Sequence, residues 1–167
     1  MQTTYLKTSL GLFRASFSER GLAGLDFPAE RPGAGRRTAG ARLAGAAQDW
    51  RGAAESTLRA TLAGGTGRSG VPLDLSGGTT FQRQVWAALA AIPRGETRTY
   101  SQIAAAIGRP RAVRAVGRAC GANPITVLIP CHRVVAADGG LGGFSGGLKW
   151  KRWLLAHEGH ERHASGV

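Results

Sequence analysis

The stretch "TYSQIAAAIGRPRAVRAVGRACG", residues 99–121, reads as a helix, a tight turn and a second helix. Thr99 with Gln102 opens the first helix, Gly108 breaks it, and Pro110 stands where a second helix would begin. That length and turn match a helix-turn-helix. Arg111, Arg114 and Arg118 fall three and four residues apart, which predicts one stripe of cations along the second helix. Such a face suits phosphates, and it equally suits plain solvent.

Outward from this motif the chain divides near residue 75. Upstream of it, "TTFQRQVWAALAAIPRG" (79–95) predicts a helix capped by Thr79 and Gln82. Its apolar stripe is Phe81, Val85, Leu89 and Ile92, and Pro93 and Gly95 stop it. Downstream come "NPITVL", the turn "IPCHRVV" (129–135), a glycine loop "DGGLGGFSGG" (138–147) and a last helix "LKWKRWLLAHEG" ended by Gly159. Residues 76–167 therefore read as a mostly helical lobe. Residues 1–75 read as a small α+β lobe: a hairpin from "GLFRASF", "SERG" and "LAGLDF", a Pro/Gly/Arg loop at 28–37, and a helix from Thr38 to Leu62. That helix carries Leu43, Ala47, Trp50, Ala54 and Leu58 on one face. "GGTGRSG" (64–70) has connector composition, and "VPLDL" (71–75) reads as a last short strand.

Charge proposes a class of partner and no chemistry. The chain holds 22 Lys+Arg against 10 Asp+Glu, a net +12. Residues 1–75 have 10 basic and 6 acidic side chains, and residues 76–167 have 12 and 4, so the excess gathers in the second lobe. A polyanion fits this balance, as does an ordinary solvated basic surface. No apolar run reaches the roughly 18 residues that cross a bilayer, and the start "MQTTYLKTSLG" lacks the pattern of a secretory signal. With two cysteines, a reducing, cytoplasmic setting is expected.

Cys131, between Pro130 and His132, reads as a nucleophile, a metal ligand or a small buried residue. A thiol of ordinary pKa is mostly protonated at neutral pH, so nucleophilic use requires something that stabilises the thiolate. Adjacent side chains seldom face one another, which favours a bridging water over a direct contact with His132. A metal site is poorly supported, because Cys131 and His132 cannot easily both ligate and His157, His160 and His163 lie in the tail. Cys120 reads as a small core residue, His160 and His163 as disordered surface residues, and the tryptophans as core stripes.

The order "TYSQIA…RAVGRACGANP…IPCHRVV…GGFSGG…LLAHEG", over roughly residues 77–160, strongly resembles the O6-alkylguanine-DNA alkyltransferases, also called methylated-DNA–protein-cysteine methyltransferases. Pro-Cys-His-Arg-Val is that family's signature, and the first lobe is a weaker match. The resemblance implies that Cys131 is the alkyl acceptor, that His132 acts as its base through water, and that Glu158 orients His132. Asn123 would brace the turn, Tyr100 would donate to the ring nitrogen of the departing guanine, and Arg114 would fill the space left by a flipped nucleotide. Arg111, Arg118, Ser101 and Gln102 are then expected at DNA. Val134, Phe144, Ser145, Gly146 and Arg133 are expected at the base pocket. Phe144 departs from relatives that carry Tyr beside that serine.

The fold so implied is α+β with a winged-helix-like second lobe. The implied function is irreversible, single-turnover removal of alkyl groups from guanine O6, and from thymine O4, in DNA. The expected partner is double-stranded DNA met through the minor groove by a monomer, with cooperative assembly on DNA open; no cofactor, metal or membrane is implied. Competing readings are a lesion-recognition module, a regulator with a redox-sensing thiol, and a cysteine hydrolase. The first is disfavoured because Cys131 is present, and the last because no oxyanion arrangement is identifiable. No cysteine-rich first segment is seen, against a fused phosphotriester-repair form.

Overall fold

The computed structural model describes residues 1–28, 45–65 and 70–161. Most of the expected 28–37 loop, the expected helix start at Thr38, Leu43, the centre of the 64–70 connector and His163 lie outside these residues. Among the described residues no helix is long and apolar enough to cross a membrane. The chain forms two compact units, residues 1–75 with 124–128, and residues 76–123 with 129–167. The segment Pro124–Leu128 thus sits with the first unit although the chain reaches it long after residue 75.

The first unit is a three-stranded antiparallel meander, β1 (Gln2–Thr8), β2 (Gly11–Ser18) and β3 (Gly21–Asp26), with the helix α1 (Ala46–Leu62) packed on it. The expected hairpin is therefore β2–β3, and β1 is an addition. Its inward positions are Thr4 and Leu6, so one of the two is polar and the period-two signal is weak. Phe13, Ala15 and Phe17 are buried, as the alternation predicts. A bulge at Ser16/Phe17 puts Leu22 opposite Phe17 and Leu25 opposite Ala15, so two residues three apart share the buried face. From α1, Ala47, Ala54, Leu58 and Leu62 close the core, while Trp50 is only half-buried.

Both edges of this sheet are covered at defined points. On β1, the Lys7 N–H donates to Glu55 Oε2 (3.0 Å) and its carbonyl accepts from Arg59 Nε (2.7 Å), which blunts an edge open to strand addition. Beside β3, "VPLDL" forms a single bridge, Leu22 to Leu73, in place of a strand. Pro124–Leu128 adds a second bridge, Leu25 to Ile125, and Thr126 Oγ1 donates to the Leu25 carbonyl at 2.6 Å.

The second unit assembles α2 (Thr80–Ala90), α3 (Tyr100–Ala106), α4 (Val113–Gly121) and α5 (Leu148–His157). Between them run a parallel pair of two-residue strands, β4 (Arg98–Thr99) and β5 (Val134–Val135), and a 3₁₀ turn at Cys131–Arg133. Thr79 and Thr99 each make a complete capping box, with Gln82 and Gln102 respectively. Val85, Trp86 and Leu89 bury α2, Trp86 Nε1 donates to the Ala119 carbonyl on α4 (2.8 Å), and Phe81 stays half-exposed beneath the Arg109 guanidinium.

The turn between α3 and α4 differs from the sequence expectation. Gly108, at φ +71°, reverses the chain, and the Ala112 N–H closes on the Arg109 carbonyl (2.9 Å). Pro110 occupies the second position of this turn, where its fixed φ fits as well as at a helix start, and α4 begins only at Val113. Arg111 consequently lies in the turn, and the helical stripe is reduced to Arg114 and Arg118.

Candidate active site

Cys131 sits on the 3₁₀ turn that follows Pro130, which stands at φ −80° and ψ 63°. The turn is closed by the Cys131 N–H to the Ile129 carbonyl (2.8 Å) and the Arg133 N–H to the Pro130 carbonyl (3.0 Å). The pyrrolidine ring fixes the bend that turns three successive side chains inward. Asn123 ties this turn to the end of α4: its amide donates to the Ile129 carbonyl at 2.8 Å and to Cys131 Sγ at 3.2 Å. Ile129 and Asn123 flank the excursion 124–128, so one side chain closes the neck of that loop and touches the sulfur.

His132 is fully buried, and its Nε2 lies 3.1 Å from Glu158 Oε1. Arg133 grips the same carboxylate with two nitrogens, each at 2.9 Å, and its third donates to the Ile92 carbonyl at 2.6 Å. Burial works to raise the Glu158 pKa, but hydrogen bonds from His132 and Arg133 outweigh it and hold the group down at about 2. Burial pushes the His132 pKa down, against the pull of Glu158. At neutral pH His132 is therefore a neutral imidazole whose Nε2–H faces an ionised carboxylate. Its other nitrogen, Nδ1, is buried with no hydrogen-bond partner among the described residues, and is left as the basic atom.

Burial also raises the Cys131 pKa, opposed by the Asn123 hydrogen bond and the Lys151 charge. The resting thiol is thus protonated, and ionising it takes a base and preorganised donors together. Cys131 lies on the wall of a cavity of about 570 Å³. Tyr100 from α3, Arg114, Gly117, Arg118 and Cys120 from α4, and Gly143, Phe144 and Ser145 from the glycine loop form other parts of that wall. Tyr100 Oη lies 3.5 Å from the Gly143 carbonyl, and burial first, then the two thiols, raise its pKa, so it stays a donor. Gly142, at φ +66°, makes this possible: a Cβ there would stand 2.7 Å from Tyr100 Oη.

The remaining expected site residues differ in their surroundings. Arg133, expected at the base pocket, is turned inward because its planar fork matches the buried Glu158 carboxylate. Val134 is buried off the cavity wall and its carbonyl accepts from Lys151 Nζ (2.6 Å). Gly146 falls just past the lining residues. Ser101 and Gln102 are exposed at the start of α3, where Ser101 Oγ meets Thr99 Oγ1 (2.9 Å) and Gln102 completes the capping box. Arg111, Arg114 and Arg118 are all exposed. Cys120 is both core and cavity wall, and burial pushes its thiol up to about 12. Trp150 and Trp153 are half-buried, edge to face, and Trp153 stacks on His157. His160, expected as a disordered surface residue, is half-buried, its N–H on the Leu155 carbonyl (2.9 Å).

Sequence reasoning missed Lys151. It is wholly buried, and its ammonium donates to the carbonyls of Val134, Leu141 and Gly143, stitching the strand after the Cys131 turn to the glycine loop. Burial lowers its pKa to about 8, opposed by the two thiols. The signal was its place three and four residues before Leu154 and Leu155, on the buried face of α5.

This geometry defines a class of protein, one in which a buried cysteine on a 3₁₀ turn shares a cavity wall with the two helices of a helix-turn-helix. Residues 80–160 match the family described as 6-O-methylguanine DNA methyltransferase, DNA binding domain. A methylated-DNA–protein-cysteine methyltransferase of Salmonella typhimurium is 58% identical over 85 residues, 51% of this chain and 50% of that protein. One of Mycolicibacterium paratuberculosis is 52% identical over 108 residues, 65% of each chain. The crystal structure of Mycobacterium tuberculosis OGT in complex with DNA superposes with a TM-score of 0.76 at 37% identity, covering 97% of this chain and 94% of that one. This chain belongs to the 6-O-methylguanine DNA methyltransferase family. It matches the Salmonella relative over about half of that protein's length.

Proposed function

We propose that this protein repairs DNA by transferring an alkyl group from O6-alkylguanine, and from O4-alkylthymine, to Cys131 in a single irreversible turnover. One observation carries the reading: Cys131 Sγ stands at the cavity wall with Asn123 on the sulfur and the His132–Glu158 pair behind it. Residues 76–167 serve as the DNA-binding and alkyl-acceptor domain. Arg114 and Arg118 at the cavity rim, with Arg111 in the turn before α4, meet the duplex from its minor groove. The target carbon is shielded in stacked DNA, so the nucleotide flips into the cavity at a cost of a few kcal/mol, and Arg114 fills the gap.

His132 Nδ1 takes the thiol proton through one bridging water, and Glu158 stabilises the imidazolium formed. The thiolate attacks the alkyl carbon in line; the S–C bond forms as the C–O bond breaks. Tyr100 passes its proton to the ring nitrogen of the departing base and regains one from the His132 imidazolium through solvent. The thiol proton is in net the one the base keeps, while sulfur keeps the alkyl group as a thioether. No group among the described residues is placed to hydrolyse that stable thioether, so each chain acts once.

Intact mass after incubation with an O6-methylguanine duplex tests this reading. One added methyl on the Cys131 peptide, absent in Cys131→Ala, is expected. Tight binding of the lesion without mass gain would overturn transfer and leave a recognition module.

A further inference from the structure

Arg94 lies in the turn that follows α2, outside every group assigned so far. Its Nη2 donates to the carbonyl of His157, the last residue of α5, at 2.7 Å, and its Nη1 stands 3.9 Å from Glu158 Oε1. The first contact places a cation at the negative end of a helix. The second makes Oε1 a shared atom, since His132 Nε2 and an Arg133 nitrogen also reach it, at 3.1 and 2.9 Å. Two residues before Arg94, the Ile92 carbonyl accepts from Arg133. Arg133, Glu158, Arg94 and the turn back to Ile92 thus form a closed ring of contacts. Of the three side chains that reach Glu158 Oε1, Arg94 is the most exposed, at 24% against 10% for Arg133 and 1% for His132.

We infer that Arg94 is a positioning residue for the proton relay, sharing Glu158 Oε1 with His132 and so setting how strongly that carboxylate supports a protonated imidazole. The inference rests on the alkyl-transfer reading above. The charged and titratable groups that bear on the His132–Glu158 pair are Arg133 and Cys131 on the 3₁₀ turn, Lys151 on α5, whose charge also acts on His132, and Arg94 itself. Each cation at Oε1 draws on the same negative charge and repels an imidazolium. Arg94 is the one that can be neutralised while the fork of Arg133 still holds the carboxylate in place. With its charge gone, protonated His132 persists to higher pH, and a protonated His132 cannot take the thiol proton.

Single-turnover transfer from an O6-methylguanine duplex, followed by intact mass between about pH 5 and about pH 9, tests this in wild type, Arg94→Gln and Arg94→Lys. In Arg94→Gln the acid limb should move up by about half a pH unit. On that limb transfer is then about threefold slower than in wild type, with plateau rates agreeing within about twofold; Arg94→Lys should restore the limb. Coincident profiles overturn the assignment, as does a uniform fall at every pH that lysine does not restore, which is the mark of a merely structural role. A wild type that gains no methyl group overturns the underlying reading together with this one, whereas methyl gain with coincident profiles removes Arg94 alone.

Discussion

Cys131 is protonated at rest because its burial outweighs the help from Asn123 and Lys151, so any thiolate chemistry there depends on how its neighbours are placed. Gly142 shows how narrow the tolerance of that placement is. A methyl there would overlap Tyr100 Oη and Cε2, at 2.7 and 2.9 Å, and the φ of +66° adds about 1 kcal/mol of backbone strain. Gly142→Ala is expected to slow transfer by about tenfold or more with a stability loss on the order of 1 kcal/mol, checked by single-turnover mass kinetics beside urea unfolding. Glu158 carries a pH signature. Its folded pKa of about 2 lies below the usual carboxylate value, so the stability it contributes is complete above about pH 4.5 and is lost as pH falls towards 2. His132, held neutral by burial, adds to the same acid loss from about pH 6.5 downward, because the unfolded chain binds its proton more readily. Glu158→Gln should flatten the lower of these windows, removing on the order of 2 kcal/mol of acid-sensitive stability from unfolding curves recorded at successive pH values.

At the scale of elements, α5 does the most. It places Glu158 just past its end and buries Lys151 against three carbonyls. Lys151→Met keeps the apolar stem and removes the donors, leaving carbonyl acceptors of buried backbone without their partner. A cost of about 2–4 kcal/mol is expected by urea unfolding at neutral pH. The two capping boxes differ in consequence. Thr79→Ala and Thr99→Ala should each cost about 1 kcal/mol, but only Thr99 precedes Tyr100, so only Thr99→Ala is expected also to slow transfer.

For the whole molecule, the net charge of +12 predicts DNA association that weakens steeply with salt. Arg114→Ala and Arg118→Ala should each reduce the slope of log K against log salt by about 1, measured by fluorescence anisotropy on an unmodified duplex. Arg59→Ala on α1 loses its contact with the Lys7 carbonyl and should leave that slope unchanged.

What the sequence determined by itself were features with local causes. The capping boxes at Thr79 and Thr99, the alternation of Phe13, Ala15 and Phe17, the break at Gly108, and the Pro-Cys-His-Arg turn all follow from neighbours in the chain. The resemblance, resting on contiguous motifs, named Cys131, His132, Glu158, Asn123 and Tyr100 as one site; in the structure Asn123 touches the Cys131 sulfur, Tyr100 shares the cavity wall with Cys131, and His132 meets Glu158. Tertiary structure alone decided the rest. Arg133 and Arg94 face Glu158 because a buried carboxylate demands counter-charges from elements far apart in the chain. Lys151 is buried where one carbonyl of β5 and two of the glycine loop share its ammonium as donor. Pro110 serves a turn because its φ suits both a turn and a helix start, and only the packing of α4 selects between them. Pro124–Leu128 joins the first unit because β3 has an edge to cover. Each of these is settled by which groups from distant parts of the chain pack or pair together, and a linear pattern carries no record of that meeting.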